Sequence, residues 1–222
     1  MSRKDEFMSI ASHELKTPIT SLKASLQLVE KIVDKDVALQ PVAPFVEKAV
    51  KQVNKLTDIV HELMDVTRIQ AGRLELSKTD FNLMDMIEEC REQCMAVNNK
   101  HAVHIEGDPN LEIYGDRIRL EQVVCNLLTN ALKYSSENES IFIKFENNNN
   151  KIKVAVSDNG IGIPQDNLSN IFDRFYRVEN TSKKFSGIGL GLYISSEIIK
   201  RHHGQIGVES TLGKGSTFWF II

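Results

Sequence analysis

The chain has 222 residues, of which 41% are hydrophobic and 26% charged, and its formal net charge is −3. That length holds one large domain or two small ones with real cores, and the near balance of charge carries no signature of nucleic-acid binding, so no nucleic-acid partner is expected. No apolar run approaches the roughly 18 residues that cross a membrane, and the N-terminus lacks the apolar core of a signal peptide.

The first predicted element is a helix from about Asp5 to Lys35. Apolar residues recur at Phe7, Ala11, Leu15, Ile19, Leu22, Leu26, Val29 and Val33, which is helical spacing. At 100° per residue His13 falls about 160–200° from Ala11 and Leu15, on the face away from that stripe. Glu14 is its neighbour and Thr17 lies one turn further along beside it. An exposed neutral imidazole is a good nucleophile, and an adjacent carboxylate can orient it or take its proton.

Asp34-Lys35-Asp36 and Pro41 mark a turn, and a second long helix follows to about Ala71. Its apolar positions Val42, Val46, Ala49, Val53, Leu56, Val60 and Leu63 step by four and three, a heptad-like seam. Two long helices with a short connection make an antiparallel hairpin, which cannot bury two apolar stripes well alone. Pairing two hairpins in a four-helix bundle solves that, so a homodimer is expected. Because the histidine segment starts almost at residue 1, a soluble, cytoplasmic piece of a longer protein is expected, joined to a membrane only through other parts of it.

Gly72 ends the second helix, and residues 73–80 read as a linker with a short strand. From Phe81 the pattern is mixed α/β: a helix over Leu83–Asn98, short strands at His104–Glu106 and Leu111–Tyr114, and a helix from Asp116 to Lys133 capped by Asp116. On that helix Asn126, Asn130 and Lys133 share one face. An amide oxygen on Asn130 suits Mg²⁺, and Lys133 offers a point charge for phosphate.

Strands follow at Ile141–Phe145 and Lys151–Ser157, around a turn of four asparagines. Asp158 comes directly after the second, in Asp158-Asn159-Gly160-Ile161-Gly162. A carboxylate at a strand end can accept from the exocyclic amine of adenine, and Gly160 and Gly162 let the backbone approach a flat base. Phe172-Asp173-Arg174-Phe175-Tyr176-Arg177 pairs aromatics as packing anchors with arginines, of which Arg174 is the expected phosphate contact.

Residues 179–186 have the make-up of a mobile lid. A helix is expected over Gly189–His203, and Gly187, Gly189 and Gly191 at its opening free N–H groups that form an anion cradle. Gln205–Ser210 and Ser216–Ile221 close the chain as a strand pair. Cys90, Cys94 and Cys125 are odd in number and lack CxxC spacing. They read as reduced thiols, with a switch between Cys90 and Cys94 as the alternative.

The segment Ser12-His13-Glu14-Leu15-Lys16-Thr17-Pro18 resembles the phospho-acceptor box of the sensor histidine kinases of two-component signalling. The four later motifs resemble, in order, the asparagine, first glycine, phenylalanine and second glycine boxes of their ATP-binding domain, and Gly213–Phe218 resembles the last glycine box. Together they span Phe7 to Phe218. The resemblance implies a dimeric four-helix bundle over residues 1–72, a linker over 73–80, and a Bergerat-type α/β sandwich over 81–222 with a mixed sheet covered by helices. It implies Mg²⁺ on Asn130, ATP contacts from Asn126, Lys133 and Tyr134, and adenine read by Asp158 with Thr217 in support. Gly187, Gly189 and Gly191 are implied to close over the phosphates.

Relatives that hydrolyse ATP carry a glutamate where this chain has Asn126, and an amide cannot take a proton from water. The implied reaction is phosphorylation of His13 by ATP, with Glu14 as base or orienter, then transfer to an aspartate of a response-regulator receiver domain. Thr17 is implied in dephosphorylating that regulator. A nucleotide-regulated scaffold, or an ATPase without kinase activity, is the alternative.

Overall fold

The structure is a computed structural model that describes residues 17–29, 31, 42–97, 101–136, 139–149, 151–178 and 187–222. Contacts divide the chain into two units. One comprises Met1–Gly72 with Ser186–Leu190, the other Arg73–Phe185 with Gly191–Ile222.

In the first unit residues 17–29 are helical (α1), and a second helix, α2, runs from Ala43 to Gln70. Pro44 stands in the first turn of α2, where its missing N–H costs nothing. Gly72 follows the helix with φ 67°, the left-handed turn that commonly ends one. Ala49, Ile59, Val66 and Ile69 are buried along α2, whereas Val46, Val50, Val53, Val60 and Met64 are exposed. These five fall within a sector of about 80° around the helix. No helix among the described residues is long and apolar enough to cross a membrane.

The second unit alternates strands and helices: β1 (Thr79–Asn82), α3 (Leu83–Val97), β2 (Val103–Glu106), β3 (Glu112–Gly115), α4 (Arg117–Tyr134), β4 (Ile141–Asn148), β5 (Lys151–Asp158), α5 (Gly191–Arg201), β6 (Gln205–Thr211) and β7 (Gly215–Ile221). The main sheet has the order β2-β4-β5-β7-β6, with β2 parallel to β4 and the other pairs antiparallel. β1 and β3 form a small antiparallel pair of their own. This is the mixed sheet with helices that the sequence implied.

Register explains the core. Ile105, Ile143, Val156, Phe218 and Val208 are successive cross-strand partners, a row that runs across all five strands. Alternate residues on each strand share a face, and this row lies on the face packed by helices. There α4 buries Leu120, Val123, Val124, Leu127, Leu128, Ala131 and Leu132, and α5 buries Ile194, Ile198 and Ile199. Fully burying each leucine, isoleucine or valine among them contributes about 1.5–3 kcal/mol.

Asp116 caps α4 as expected. Its Oδ1 accepts from Arg119 N–H at 3.1 Å, and its Oδ2 accepts from Ser77 N–H, shortly before Thr79, at 2.8 Å. Such a cap is worth about 1 kcal/mol. The Asp116 N–H in turn donates to Nε2 of buried His202, whose Nδ1 donates to the carbonyl of Ile198.

The cysteine expectation requires correction. Cys90 on α3 and Cys125 on α4 are joined as a disulfide, with Cα atoms 5.7 Å apart, and Cys94 is the buried free thiol. Pairing therefore runs between two packed helices rather than along one. Burial pushes the Cys94 thiol up from its ordinary value.

Candidate functional site

The inner face of the sheet turns polar at one end. Beyond the Val156–Phe218–Val208 row, the next cross-strand partners are Asp158, Ser216 and Ser210. Asp158 is 9% exposed, and its Oδ1 accepts the N–H of Gly160 at 2.8 Å. Burial pushes its carboxyl above the ordinary carboxylate range, opposed by the N–H groups of Gly160 and Ser216. A carboxylate at a strand end with so few donors of its own is suited to accept from a ligand amine.

The loop after β5 is fastened from two sides. Ile161 N–H donates to the Tyr134 carbonyl at 3.3 Å, and Ile163 N–H donates to Ser210 Oγ at 2.8 Å. Ser210 spends its own hydrogen on the Gly215 carbonyl at 2.8 Å, so Ser216 donates the hydrogen of the 2.9 Å bond between the two hydroxyls. A Cβ at Gly160 would collide with the Tyr134 carbonyl and crowd Asp158. Gly162 takes φ 66° and turns against the Thr211 carbonyl.

Helix α4 passes beside this end of the sheet and contributes Asn126, Asn130, Lys133 and Tyr134, all half-buried. Asn130 Nδ2 points to Asn126 Oδ1 at 3.4 Å, which turns its amide oxygen the other way. Asn126 Nδ2 donates to Ser195 Oγ on α5 at 2.9 Å. A Cβ on Gly191, the first residue of α5, would collide with Asn126 Oδ1. Glycine is thus the residue that lets the start of α5 close on the asparagine face. Lys133 Nζ lies 5.0 Å from the Tyr134 ring centroid. The Asn130 amide oxygen is a hard oxygen donor of the kind Mg²⁺ takes alongside waters and substrate phosphates.

The structure thus gathers Asn126, Asn130, Lys133, Tyr134, Asp158, Gly160, Gly162 and Gly191 within the α/β unit. Gly187 (φ 141°) and Gly189 (φ 76°) belong to the segment grouped with the helical unit. Thr17 is exposed on α1, whereas His13, Glu14, the expected lid at 179–186 and the expected turn near 34–41 lie outside the described residues.

One expectation shifts. Thr217 is not on the Asp158 face: its hydroxyl pairs with Ser157 at 2.9 Å on the opposite side of the sheet, and Ser216 is the cross-strand partner of Asp158. Strand alternation is the reason, and the signal was present, since Ser216 is in phase with Phe218 and Phe220, both buried. Arg174 is exposed and stacks on Phe175 at 5.0 Å, whereas Arg177 is the arginine whose charge acts on Tyr134. Burial raises the Tyr134 hydroxyl above its ordinary value and Arg177 opposes this. Ser195, the anchor of Asn126, carried no sequence signal because its partner lies 69 residues away.

Residues 115–222 match the model for the histidine kinase-, DNA gyrase B- and HSP90-like ATPases, and residues 3–72 match the His Kinase A phospho-acceptor domain. The alginate biosynthesis sensor protein KinB of Pseudomonas aeruginosa is 30% identical over 222 residues, covering 99% of this chain and 37% of that protein. The chain thus spans little more than a third of that relative's length. Among solved structures, the catalytic domain of histidine kinase ThkA is 31% identical with a TM-score of 0.58, covering 66% of this chain and 97% of that one. ThkA in complex with the response regulator protein TrrA is 27% identical with a TM-score of 0.65, covering 100% of this chain and 64% of that one. A phospho-acceptor segment, an ATPase-type fold and a catalytic-domain relative matched over nearly its whole length converge on one family, and the chain belongs to the sensor histidine kinases of two-component systems.

Proposed function

We propose that this protein is an ATP-dependent protein-histidine kinase, in which residues 81–222 bind ATP and phosphorylate His13 of the helical domain, residues 1–72. The linker is residues 73–80. One observation carries the reading. Asp158 is a buried carboxylate at the end of the sheet's covered face, beside an α4 face that presents two amides and a lysine, with no carboxylate at Asn126 to activate water. Such a site suits adenine and phosphates, and Asn126 cannot act as the base that hydrolysis needs, so the γ-phosphoryl goes to another nucleophile.

In the reaction an imidazole nitrogen of His13 bonds to the γ-phosphorus as the bond to the bridging oxygen breaks and ADP leaves. Glu14 orients the ring or takes its proton. Lys133 neutralises phosphate charge, Asp158 accepts from the adenine amine, and Gly187, Gly189 and Gly191 offer N–H groups to the phosphates. Arg174 or Arg177 meets the terminal phosphate. Asn130 would hold Mg²⁺, which supplies charge neutralisation and alignment of the phosphates. The phosphoryl group then passes to an aspartate of a response-regulator receiver domain, a partner supported by the complex of ThkA with its regulator.

The exposed apolar strip on α2 supports a homodimer, the second copy covering Val46, Val50, Val53, Val60 and Met64. The chain acts as the cytoplasmic portion of a longer sensor. Incubation with γ-labelled ATP tests the reading: acid-labile, base-stable label is expected on the chain and none on His13→Gln, which should bind ATP as before. Stoichiometric label on His13→Gln would overturn it.

A further inference from the structure

Three sulfurs meet between α3 and α4. Cys90 and Cys94 stand one turn apart on α3, Cys125 reaches them from α4, and all three Sγ atoms lie within 4.8 Å of one another. Cys90 is fully buried and Cys94 is 9% exposed, whereas Cys125 is half-buried and forms the open side of the cluster. Residues one turn away on the same helices, Met86, Ile87 and Leu128, are fully buried and apolar. The nucleotide site uses none of the three thiols.

The cluster's ligand count and charge select its occupant. Thiolates favour soft ions. No fourth His, Asp or Glu joins the group among the described residues, so a closed tetrahedral zinc site would lack a ligand. Three thiolates on a divalent ion carry one net negative charge, and on a monovalent ion two. An uncompensated buried charge is costly. Two carboxylates stand close by in sequence, Glu89 directly before Cys90 and Glu121 one turn before Cys125, and both are engaged by Arg117, at 2.7 Å and 3.4 Å. A trivalent centre with three thiolates is neutral and avoids that cost.

We infer that in its reduced form this cluster is a binding site for one trivalent thiophilic metalloid of the arsenite class, held by Cys90, Cys94 and Cys125. The Cys90–Cys125 disulfide opens first by exchange with two equivalents of a monothiol, giving two protein thiols and one external disulfide. Arsenous acid then condenses with the three thiols. Three As–O bonds break, three As–S bonds form, and each thiol proton leaves with a hydroxide as water, with no change of oxidation state. Bound in this way the metalloid ties α3 to α4 at the residue that precedes Asn126.

The test uses the full chain reduced with a phosphine, freed of reductant, and titrated anaerobically with arsenite alone. Native mass spectrometry should show one arsenic per chain, thiol counting after denaturation should fall from three to none, and the thermal midpoint should rise with arsenite as for any ligand of the folded state. The disulfide form should bind none. Cys94→Ala and Cys125→Ala, confirmed as folded by melting without arsenite, should each lose at least the roughly tenfold affinity that even an outer-shell partner of a metal is worth. Should either variant fail to fold, the comparison of reduced with oxidised wild-type chain stands by itself. Equal arsenic binding by Cys94→Ala, no arsenic on the reduced chain, or tighter binding of zinc ion than of arsenite would overturn the inference.

Discussion

Asn126 on α4 donates to Ser195 Oγ on α5 at 2.9 Å, and this bond lies just where Gly191 begins α5 against the same asparagine. Gly191→Ala would push a methyl group into the Asn126 amide, an overpacking worth about 1–3 kcal/mol. Titration with a non-hydrolysable ATP analogue should show weaker binding, with a lowered melting temperature. Unchanged affinity would mean that the asparagine face does not meet the nucleotide.

Ser216 and Thr217 differ by one residue and by a whole face of the sheet. Ser216→Ala removes a hydroxyl bonded to Ser210 beside Asp158 and should weaken ATP binding by about 0.5–1.5 kcal/mol, the net worth of one hydrogen bond. Thr217→Val removes the bond to Ser157 on the far face and should leave affinity unchanged. The reverse ranking in a nucleotide titration would return Thr217 to the adenine site.

His202 gives the fold a pH dependence whose sign follows from its bonds. Burial pushes its pKa below the ordinary imidazole value, Lys78 and His203 act the same way, and the Ile198 carbonyl and Asp116 oppose them. The neutral ring accepts the Asp116 N–H, which a protonated ring cannot do. The unfolded chain binds the proton more readily, so this stability is fully present above about pH 6.5 and is lost as pH falls through the depressed folded value. Urea midpoints should therefore fall on acidification, and less so in His202→Gln, which keeps an acceptor without a charge. Equal slopes would remove His202 from the account.

Thr17 is an exposed residue of α1, and Thr17→Ala separates two activities. Autophosphorylation and transfer to the regulator should survive while dephosphorylation of the regulator slows. Glu14→Gln should mainly depress the kinase reaction. Equal loss of both activities in Thr17→Ala, or loss of neither, would leave Thr17 with only a role in the helix.

The apolar strip on α2 makes a prediction about assembly. The full chain should sediment as a dimer at micromolar concentration, and residues 80–222 alone should be monomeric and still bind ATP. Val60→Glu places a charge in the strip, where Val60 is 43% exposed, and should shift the full chain toward monomer. A full chain that is already monomeric would refute the bundle.

Most elements were legible because their signals are local. The heptad-like steps from Val46 to Leu63 describe α2, the aspartate at 116 caps α4, and the alternation from Ile141 onward describes β4. Element ends were less legible. The last helix begins at Gly191 rather than Gly189, since glycines allow a turn and a helix start equally well. Short strands were legible near residues 73–80 and at 111–114, but the β1–β3 pairing joins residues 30 to 36 apart in the chain, and no local pattern announces it.

The sequence by itself determined the order of strands and helices, the polar motifs between them and the absence of a carboxylate at position 126, because spacing and residue type are properties of a few adjacent residues. Only the tertiary structure decided that Asp158 and Ser216 are cross-strand partners and that Cys90 pairs with Cys125. Each of those outcomes depends on the register or packing of elements far apart in the chain. A shift of one residue in a strand, or of one turn in a helix, would reverse it without altering any local signal.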